Sequence, residues 1–413
     1  MLQSQLFTKT RKESPSDEVS KNASLLIKAG FIYKEVAGVY SYLPLGLRVL
    51  NKINNIIRKE MDDLGGQEVL LSAMQNPEEW KKSDRWDLPV WFKTKLSNGS
   101  DTGLGWTHEE HLANIMTNHI HSYKDLPRFV YQIQTKFRNE ERAKSGILRG
   151  REFLMKDFYS FHTSSEDLDS FYEKAKKAYI NIFNKVGIGE ITYTTLASGG
   201  AFSKFSHEFQ TICQSGEDII YVSKEKNLAV NREVYEDEVL KEAGLSKNDL
   251  VEEKSVEVGN IFKLGTRFSE PLGLNYKGED GKQKPVVMGS YGIGPGRLMG
   301  TVVETLSDEK GIIWPESITP FKVHLLRLGD SQKATLQGEE IYNKLKSILE
   351  VLYDDRENVG AGEKLKDADL IGIPYRIIVS EKTLDAGGVG VKRRDEEAEK
   401  IMTTEELFNL MKS

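Results

Sequence analysis

Apolar and polar positions alternate along this chain with two different periods. Between Gly46 and Leu64 the apolar residues Leu47, Leu50, Ile53, Ile57 and Leu64 recur at helical spacing, and Gly65-Gly66 follows where a helix would stop, so an amphipathic helix is predicted over 46–64. The run Phe129 to Phe137 is rich in β-branched and aromatic residues and reads as a strand; Arg149 to His162 reads as a second, with a polar loop, Asn139 to Leu148, between them. Thr163-x-x-Glu166 has the spacing of a capping box for a helix that turns Leu168, Phe171, Ala175, Ile182 and Val186 inward and ends near Gly187. Residues 256–303 return to strand-like segments, broken by turn chemistry at Lys277 to Gly281 and closing on the glycine-rich stretch Gly289 to Gly300.

After Trp314-Pro315 and Thr319-Pro320 the rhythm changes. Phe321 to Leu328 is predicted as a strand, Ala334 to Val351 as a helix, Tyr375 to Ser380 as a strand and Glu396 to Met411 as a final helix, an alternation that suggests a small α/β domain with a largely parallel sheet. The expected boundary lies near Ile318, giving domains 1–317 and 318–413. Two or more domains also follow from 413 residues, more than one hydrophobic core usually serves.

Composition narrows the function classes. With 38% hydrophobic and 29% charged residues, a mean hydropathy of -0.46 and no apolar run of bilayer length, a membrane role is not expected. The N-terminal residues carry acids and lack both a signal core and an acid-poor transit pattern, so a cytoplasmic protein is expected. One cysteine, Cys213, can form neither an intrachain disulfide nor a cysteine-rich zinc site. A net charge of -6 argues against indiscriminate nucleic-acid binding and leaves open a local basic patch for one folded RNA.

The candidate chemistry is a set of arginines and acids at strand ends. Arg138 and Glu140 stand where the first strand turns out, and Arg149 where the second begins. Side chains two apart on a strand share a face, so Arg149, Phe153, Met155, Asp157, Tyr159 and Phe161 project to one side. Cation, ring, thioether and acid together suit a nucleoside triphosphate beside a small apolar substrate. A half-buried hairpin with surface ion pairs is the competing reading. Gly289 to Gly300 holds five glycines and Arg297, and matches neither a Walker loop nor a dinucleotide fingerprint. It reads equally as backbone near a phosphate or as a packed strand-to-helix turn. In Thr107-His-Glu-Glu-His111 the histidines are three apart, where a helical zinc motif needs four. Ser206-His-Glu-Phe209 offers no nucleophile arrangement on its own.

Taken in order, these segments resemble the motifs of a class II aminoacyl-tRNA synthetase of the bacterial and organellar prolyl-tRNA synthetase family. Tyr40 to Gly46 with the helix 46–64 resembles the first motif, Phe137-Arg-Asn-Glu140 with Arg149 to Phe153 the second, and Gly289 to Arg297 the third. Thr107-His-Glu109, Tyr131 to Phe137, Glu152 to Asp157, Ser206 to Gln210 and Val258 to Phe262 resemble wording particular to the prolyl enzymes. The resemblance implies an α+β catalytic domain, an antiparallel sheet with flanking helices, followed by a small α/β anticodon-binding domain. It implies activation of L-proline with ATP to prolyl-adenylate, transfer of the prolyl group to the 3′ end of tRNA(Pro), Mg²⁺ on the ATP, and a homodimer through residues near 40–75. Neither a membrane nor DNA is an expected partner.

By resemblance, Arg138 and Glu140 hold the α-phosphate and the adenine side of ATP, Arg149 and Arg297 the outer phosphates, and Phe153 stacks under adenine. Thr107 and Glu109 take the prolyl imino group, His207 closes the pocket, and Met155, Asp157, Tyr159 and Ser290 lie near it. Such a reaction needs positioning and phosphate neutralisation more than a dedicated base. No protein metal ligand is assigned; Glu140 and the acids Glu217-Asp218 are candidate neighbours of the ion. In the last domain Tyr353 to Arg356, Lys364 to Pro374 and Lys392 to Arg394 resemble anticodon-binding wording, with Asp355, Arg356, Lys364 and Lys392 as candidate contacts and solvated charge as the alternative.

The sequence departs from the family at Ser72 and Trp106, where proline is usual, at Asn139, where aspartate is common, and at Ser290, often cysteine. Where many bacterial relatives carry a large hydrolytic insertion, this chain has only a short charged linker, 231–256. Rival readings are a synthetase-like binding or regulatory module, a synthetase for another amino acid such as threonine, and a metal-dependent hydrolase, whose ligand spacing fails.

Overall fold

A computed structural model of the chain describes residues 1–143, 145–199 and 205–412. Packing divides them into two compact units that are not consecutive stretches: Val36–Val39 with Ile53–Thr301, and Met1–Glu35 with Tyr40–Lys52 and Val302–Ser413.

The amphipathic helix predicted over 46–64 is α1, Pro44–Asp63, which supplies residues to both units. Leu50, Ile53 and Ile57 are buried as their spacing requires, whereas Leu47 is 46% exposed. Leu45, Val49 and Met61 complete the inward stripe with them, and Leu47 lies off it.

The unit containing 53–301 is built on a nine-stranded sheet. In chain order its strands are β1 Gln67–Glu68, β2 Arg128–Phe137, β3 Glu152–His162, β4 Thr192–Ser198, β5 Phe205–Ile212, β6 Asp218–Ser223, β7 Leu228–Asn231, β8 Val251–Gly265 and β9 Val287–Ile293. They lie in the order β5-β4-β7-β6-β8-β9-β3-β2-β1, and β5 also pairs with β8. Only β1–β2 and β4–β7 are parallel; the hairpin β2–β3 and the central β3–β9–β8 ladders are antiparallel. Helix α2, Glu109–Met116, and helix α3, Ser165–Val186, belong to this unit.

Helix α3 covers one face of the sheet. Its buried stripe includes Leu168, Phe171, Tyr172, Tyr179 and Phe183. Phe171 stacks on Phe129 at 4.2 Å and meets Phe158 at 5.7 Å, and Tyr179 accepts a hydrogen bond of 2.6 Å from Lys156. The even-numbered residues of β3 are thus taken by the helix. The odd-numbered ones, Phe153 to Phe161, face the other way, as strand parity requires. The helix start differs from expectation by one residue. Ser164, not Thr163, is the N-cap, accepting from the Asp167 N–H, because the Thr163 carbonyl is held by the Tyr276 hydroxyl. The end is as expected: Gly187 takes φ +90°, a left-handed cap that glycine adopts without Cβ strain.

The other unit carries a five-stranded sheet: β10 Val323–Arg327, β11 Val351–Asp354, β12 Tyr375–Val379, β13 Val389–Arg393 and β14 Lys400–Met402, in the order β11-β10-β12-β13-β14. It is parallel across β11-β10-β12 and antiparallel across β12-β13-β14, so the parallel character expected of it holds for one half. The helix predicted over 334–351 is Gln332–Leu345, and Val351 opens β11; the last helix is Thr404–Lys412, preceded by β14. The first error falls on a short partly apolar run, Ile348 to Val351, where periodicity does not separate helix from buried strand; the second falls on a charged stretch, Glu396 to Lys400, that carries no apolar period at all. Helix Ala361–Ile371, closed by Gly372 at φ +79°, was not predicted.

Candidate active site

Three segments converge on the face of the sheet opposite α3. Strand β3 presents Phe153 and Met155, the loop after β2 presents Arg138 and Glu140, and the turn after β9 starts helix α4, Pro295–Thr305, with Arg297 in its first turn. Together with Arg149 they line one cleft, joined by Glu257 and Asn260 of β8. The glycine-rich segment is therefore a strand-to-helix turn that also walls the cleft. At Gly292 a Cβ would stand 2.8 Å from the Asn260 side-chain oxygen, closer than such contacts allow.

The cations of the cleft have defined partners. Arg297 donates to the Leu148 carbonyl at 2.8 Å and to the Glu257 carbonyl and carboxylate at 2.8 and 3.2 Å. Arg149 pairs with Glu217 at 2.6 Å and approaches Glu140 at 3.9 Å. The Arg138 guanidinium lies 5.2 Å from the Phe153 ring centre, a cation–π distance. A second recess, reaching Glu208, Asp218 and Glu257, shares Arg149 and Arg297. Burial and then the charge on Glu257 push the Glu208 carboxyl up to about 8, and burial raises Asp218 too.

A more deeply buried polar network adjoins the cleft. Glu109, the first residue of α2, accepts from the Thr107 hydroxyl at 2.6 Å and from the Ser290 hydroxyl at 3.2 Å. Asp157 is held by Gln132 at 2.9 Å, by the Tyr159 hydroxyl at 2.9 Å and by the Lys136 ammonium at 2.8 Å. The Tyr159 hydroxyl in turn accepts from the His108 N–H at 3.1 Å. Tyr159 and Lys136 are fully buried, so they underpin the pocket rather than line it. The desolvated tyrosine, beside Asp157, has its pKa raised well above the ordinary value.

Thr107, Glu109, Asp157, Tyr159 and Ser290 are thus brought into one network, and Arg138, Glu140, Arg149, Phe153, Met155 and Arg297 into one cleft. His207, on β5, faces neither directly: its Nδ1 is 2.9 Å from the Tyr172 hydroxyl, which donates to the Ile261 carbonyl, and burial pushes the ring down to about 4. His108 and His111 do not form a metal pair. His108 Nε2 is 3.0 Å from the Ser72 carbonyl, while His111 faces Glu79 at 3.3 Å.

Arg85, Gln132, Lys136 and Glu257 also have clear places here; the sequence marks Gln132 and Lys136 only as members of the family-like segment Tyr131 to Phe137, with no role, and does not mark the other two. Glu257 borders a segment whose wording was noted. For Arg85 the available signal was its setting, since four of the five tryptophans fall between Trp80 and Trp106.

In the other unit, Asp355 accepts from the Ser4 amide and hydroxyl at 2.9 and 2.6 Å, and Arg356 makes a two-pronged pair with Asp354 and a third contact with Asp367. Lys364 is 2% exposed and donates to the Arg327 carbonyl at 2.8 Å, which sets it beneath the protein surface. Lys392 lies half-buried on β13.

Residues 92–306 match the model of the tRNA synthetase class II core domain (G, H, P, S and T), and residues 322–413 match that of the anticodon binding domain. The chain belongs to the class II aminoacyl-tRNA synthetases, with the α+β core and appended domain of that class. Within the class it is a member of the proline–tRNA ligase family. A proline–tRNA ligase of Rickettsia bellii is 40% identical over 411 residues, covering 95% of this chain and 94% of the relative. That of Sulfurihydrogenibium sp. is 34% identical, covering 99% of each, over 559 aligned positions; this exceeds the 413 residues here, so that relative carries residues that this chain lacks. Among solved structures, the prolyl-tRNA synthetase of Cryptosporidium parvum complexed with halofuginone and AMPPNP shares the fold at TM-score 0.77 and 16% identity, over 95% of this chain and 76% of that one. The Giardia lamblia enzyme in complex with prolyl-adenylate does so at 0.76 and 20%, over 93% and 74%.

Proposed function

We propose that this chain activates L-proline with ATP and transfers the prolyl group to the 3′ end of tRNA(Pro). The observation that carries the reading is the buried Glu109 carboxylate, aligned by Thr107 and Ser290, beside a cleft edged by Arg138, Arg149 and Arg297. A buried carboxylate recognises a substrate cation, and three arginines recognise a polyphosphate.

Glu109 receives the charged imino nitrogen of proline, leaving its carboxylate to attack the α-phosphorus in line while pyrophosphate departs. Arg138 neutralises charge that grows on the α-phosphate, Arg297 and Arg149 hold the outer phosphates, and Phe153 offers adenine a face to stack on. Positioning and charge neutralisation account for catalysis of this kind without a protein nucleophile. In the second step a terminal ribose hydroxyl of the tRNA attacks the adenylate carbonyl. Mg²⁺ arriving with ATP would supply neutralisation of phosphate charge, and Glu257 and Glu208 in the recess beside Arg297 would be the carboxylates that hold it.

The same reading makes 318–413 the anticodon-binding domain, with Asp355, Arg356 and Lys392 as surface contacts and Lys364 supporting them from below. It makes the protein a cytoplasmic homodimer through residues near 40–75, supported by apolar side chains left exposed at Leu47, Leu70 and Met74. No helix of the described residues is long and apolar enough to cross a membrane. Charging of a tRNA(Pro) transcript with labelled proline tests the reading; a transcript that stays uncharged while its adenylate forms would limit it to the first step.

A further inference from the structure

Glu109 and Glu110 are adjacent carboxylates, 2% and 0% exposed. Two such groups do not both ionise out of water without a counter-charge. The cation in contact with both is Arg85, itself 3% exposed: its Nη1 is 2.9 Å from Glu110 Oε1 and 3.4 Å from Glu109 Oε2. The guanidinium carbon lies 4.3 Å from the Trp106 ring centre, 5.0 Å from that of Phe268 and 5.3 Å from that of Trp80. Trp91 anchors the Arg85 carbonyl with its indole N–H at 2.9 Å. Trp80, Trp86, Trp91 and Trp106 form a core cluster of their own, so the arginine sits in a walled compartment.

We propose that Arg85 is a positioning residue of the amino-acid pocket, countering the charge of the Glu109 carboxylate and turning it toward the cationic nitrogen of the substrate. The inference rests on the reading of Glu109 as the proline-binding carboxylate. Other charged groups act on Glu109 less directly: Lys136 is committed to Asp157 and His108, Arg138 faces the cleft, and Tyr159 is a neutral donor to Asp157. Without substrate, two carboxylates share one guanidinium, and burial, with Glu109 adding to it and Arg85 opposing, pushes Glu110 up to about 7. An arriving imino cation completes the charge balance, which a neutral ligand of the same shape does not. A lysine could not stack flat between rings while reaching both carboxylates, which is why a guanidinium occupies the place.

The test is ATP–pyrophosphate exchange by the full-length protein from pH 6 to 8.5, with proline and ATP each varied. Arg85→Met is expected to raise KM for proline at least tenfold, leave KM for ATP within twofold, and move the acid limb of the proline kcat/KM profile up by at least one pH unit; Arg85→Lys recovers part of each change. If Arg85→Met does not fold, Glu110→Gln carries the test, because it leaves Arg85 to Glu109 alone and should leave the acid limb in place or move it to lower pH. A fall in kcat with both KM values and the acid limb unmoved, or an acid limb raised by Glu110→Gln, overturns the proposal. Glu109→Ala separates the two readings. If it leaves KM for proline unchanged, the assignment of Glu109 fails and this inference with it; if it raises KM while Arg85→Met does not, the inference alone fails.

Discussion

Nζ of Lys136 lies 2.7 Å from Nδ1 of His108. An ammonium only donates, so Nδ1 accepts, and the ring keeps its proton on Nε2 for the Ser72 carbonyl at 3.0 Å. The residue between Thr107 and Glu109 is thereby fixed in one tautomer and orientation. The same ammonium neutralises Asp157 at 2.8 Å. Lys136→Met should therefore lower the unfolding free energy by roughly 3–5 kcal/mol, because it leaves a buried carboxylate without its cation. Urea denaturation measures this, and Lys136→Met/Asp157→Asn should recover much of the loss; a single variant as stable as the parent would contradict the network.

His324 is also wholly buried, its Nε2 2.7 Å from the Gln3 side-chain oxygen, and burial pushes the ring down to about 4. Between that value and the ordinary value near 6.5, the unfolded chain binds the proton and the native one does not, so the contribution is lost as pH falls. From pH 7 to 5 the loss amounts to about 2 kcal/mol. Glu110 and Glu208, with raised carboxyls, act with the opposite sign, so the comparison must be between chains. Stability of His324→Asn should fall less on acidification than that of the parent by this amount; parallel curves would refute it.

Arg138→Ala and Arg297→Ala should each cut adenylate formation by roughly a hundredfold or more, on the order of 3 kcal/mol of transition-state stabilisation. Single-turnover formation of prolyl-adenylate is the measurement. Either variant within threefold of the parent would remove that arginine from the proposed role.

Much of this was legible in the chain. Period-2 parity placed Phe153, Met155, Asp157 and Tyr159 on one face of β3, and the hairpin, the long helix and its Gly187 cap followed from local chemistry. What local pattern could not give was depth. Asp157 and Tyr159 lie on the expected face but below the surface of the pocket, and Lys364 was one cation among many until its burial was known. Arg85 comes to Glu109 only when segments 24 residues apart in sequence pack around a tryptophan cluster. Neither residue carries a spacing rule that announces the contact.

Proofreading supplies a further expectation. Residues 231–256 form a turn, the short helix Asp237–Glu242, a second turn and the start of β8, over a small cluster of Val230, Val234, Leu240 and Leu245. So little buried apolar surface does not make an independent hydrolytic domain. Alanine enters a proline pocket, and the missing methylenes give only about 1–3 kcal/mol of discrimination. The chain should therefore form some alanyl-tRNA(Pro) and leave it intact; deacylation of preformed alanyl-tRNA(Pro) well above the spontaneous rate would contradict this.

The central claim, that the Glu109 pocket and the arginine-edged cleft activate proline, is tested most directly by ATP–pyrophosphate exchange with each amino acid in turn, with and without Mg²⁺. Exchange should be driven strongly by proline, weakly by alanine and not by threonine, should require Mg²⁺, and should vanish in Glu109→Ala. Exchange stimulated by threonine alone, or by no amino acid at all, would contradict the account.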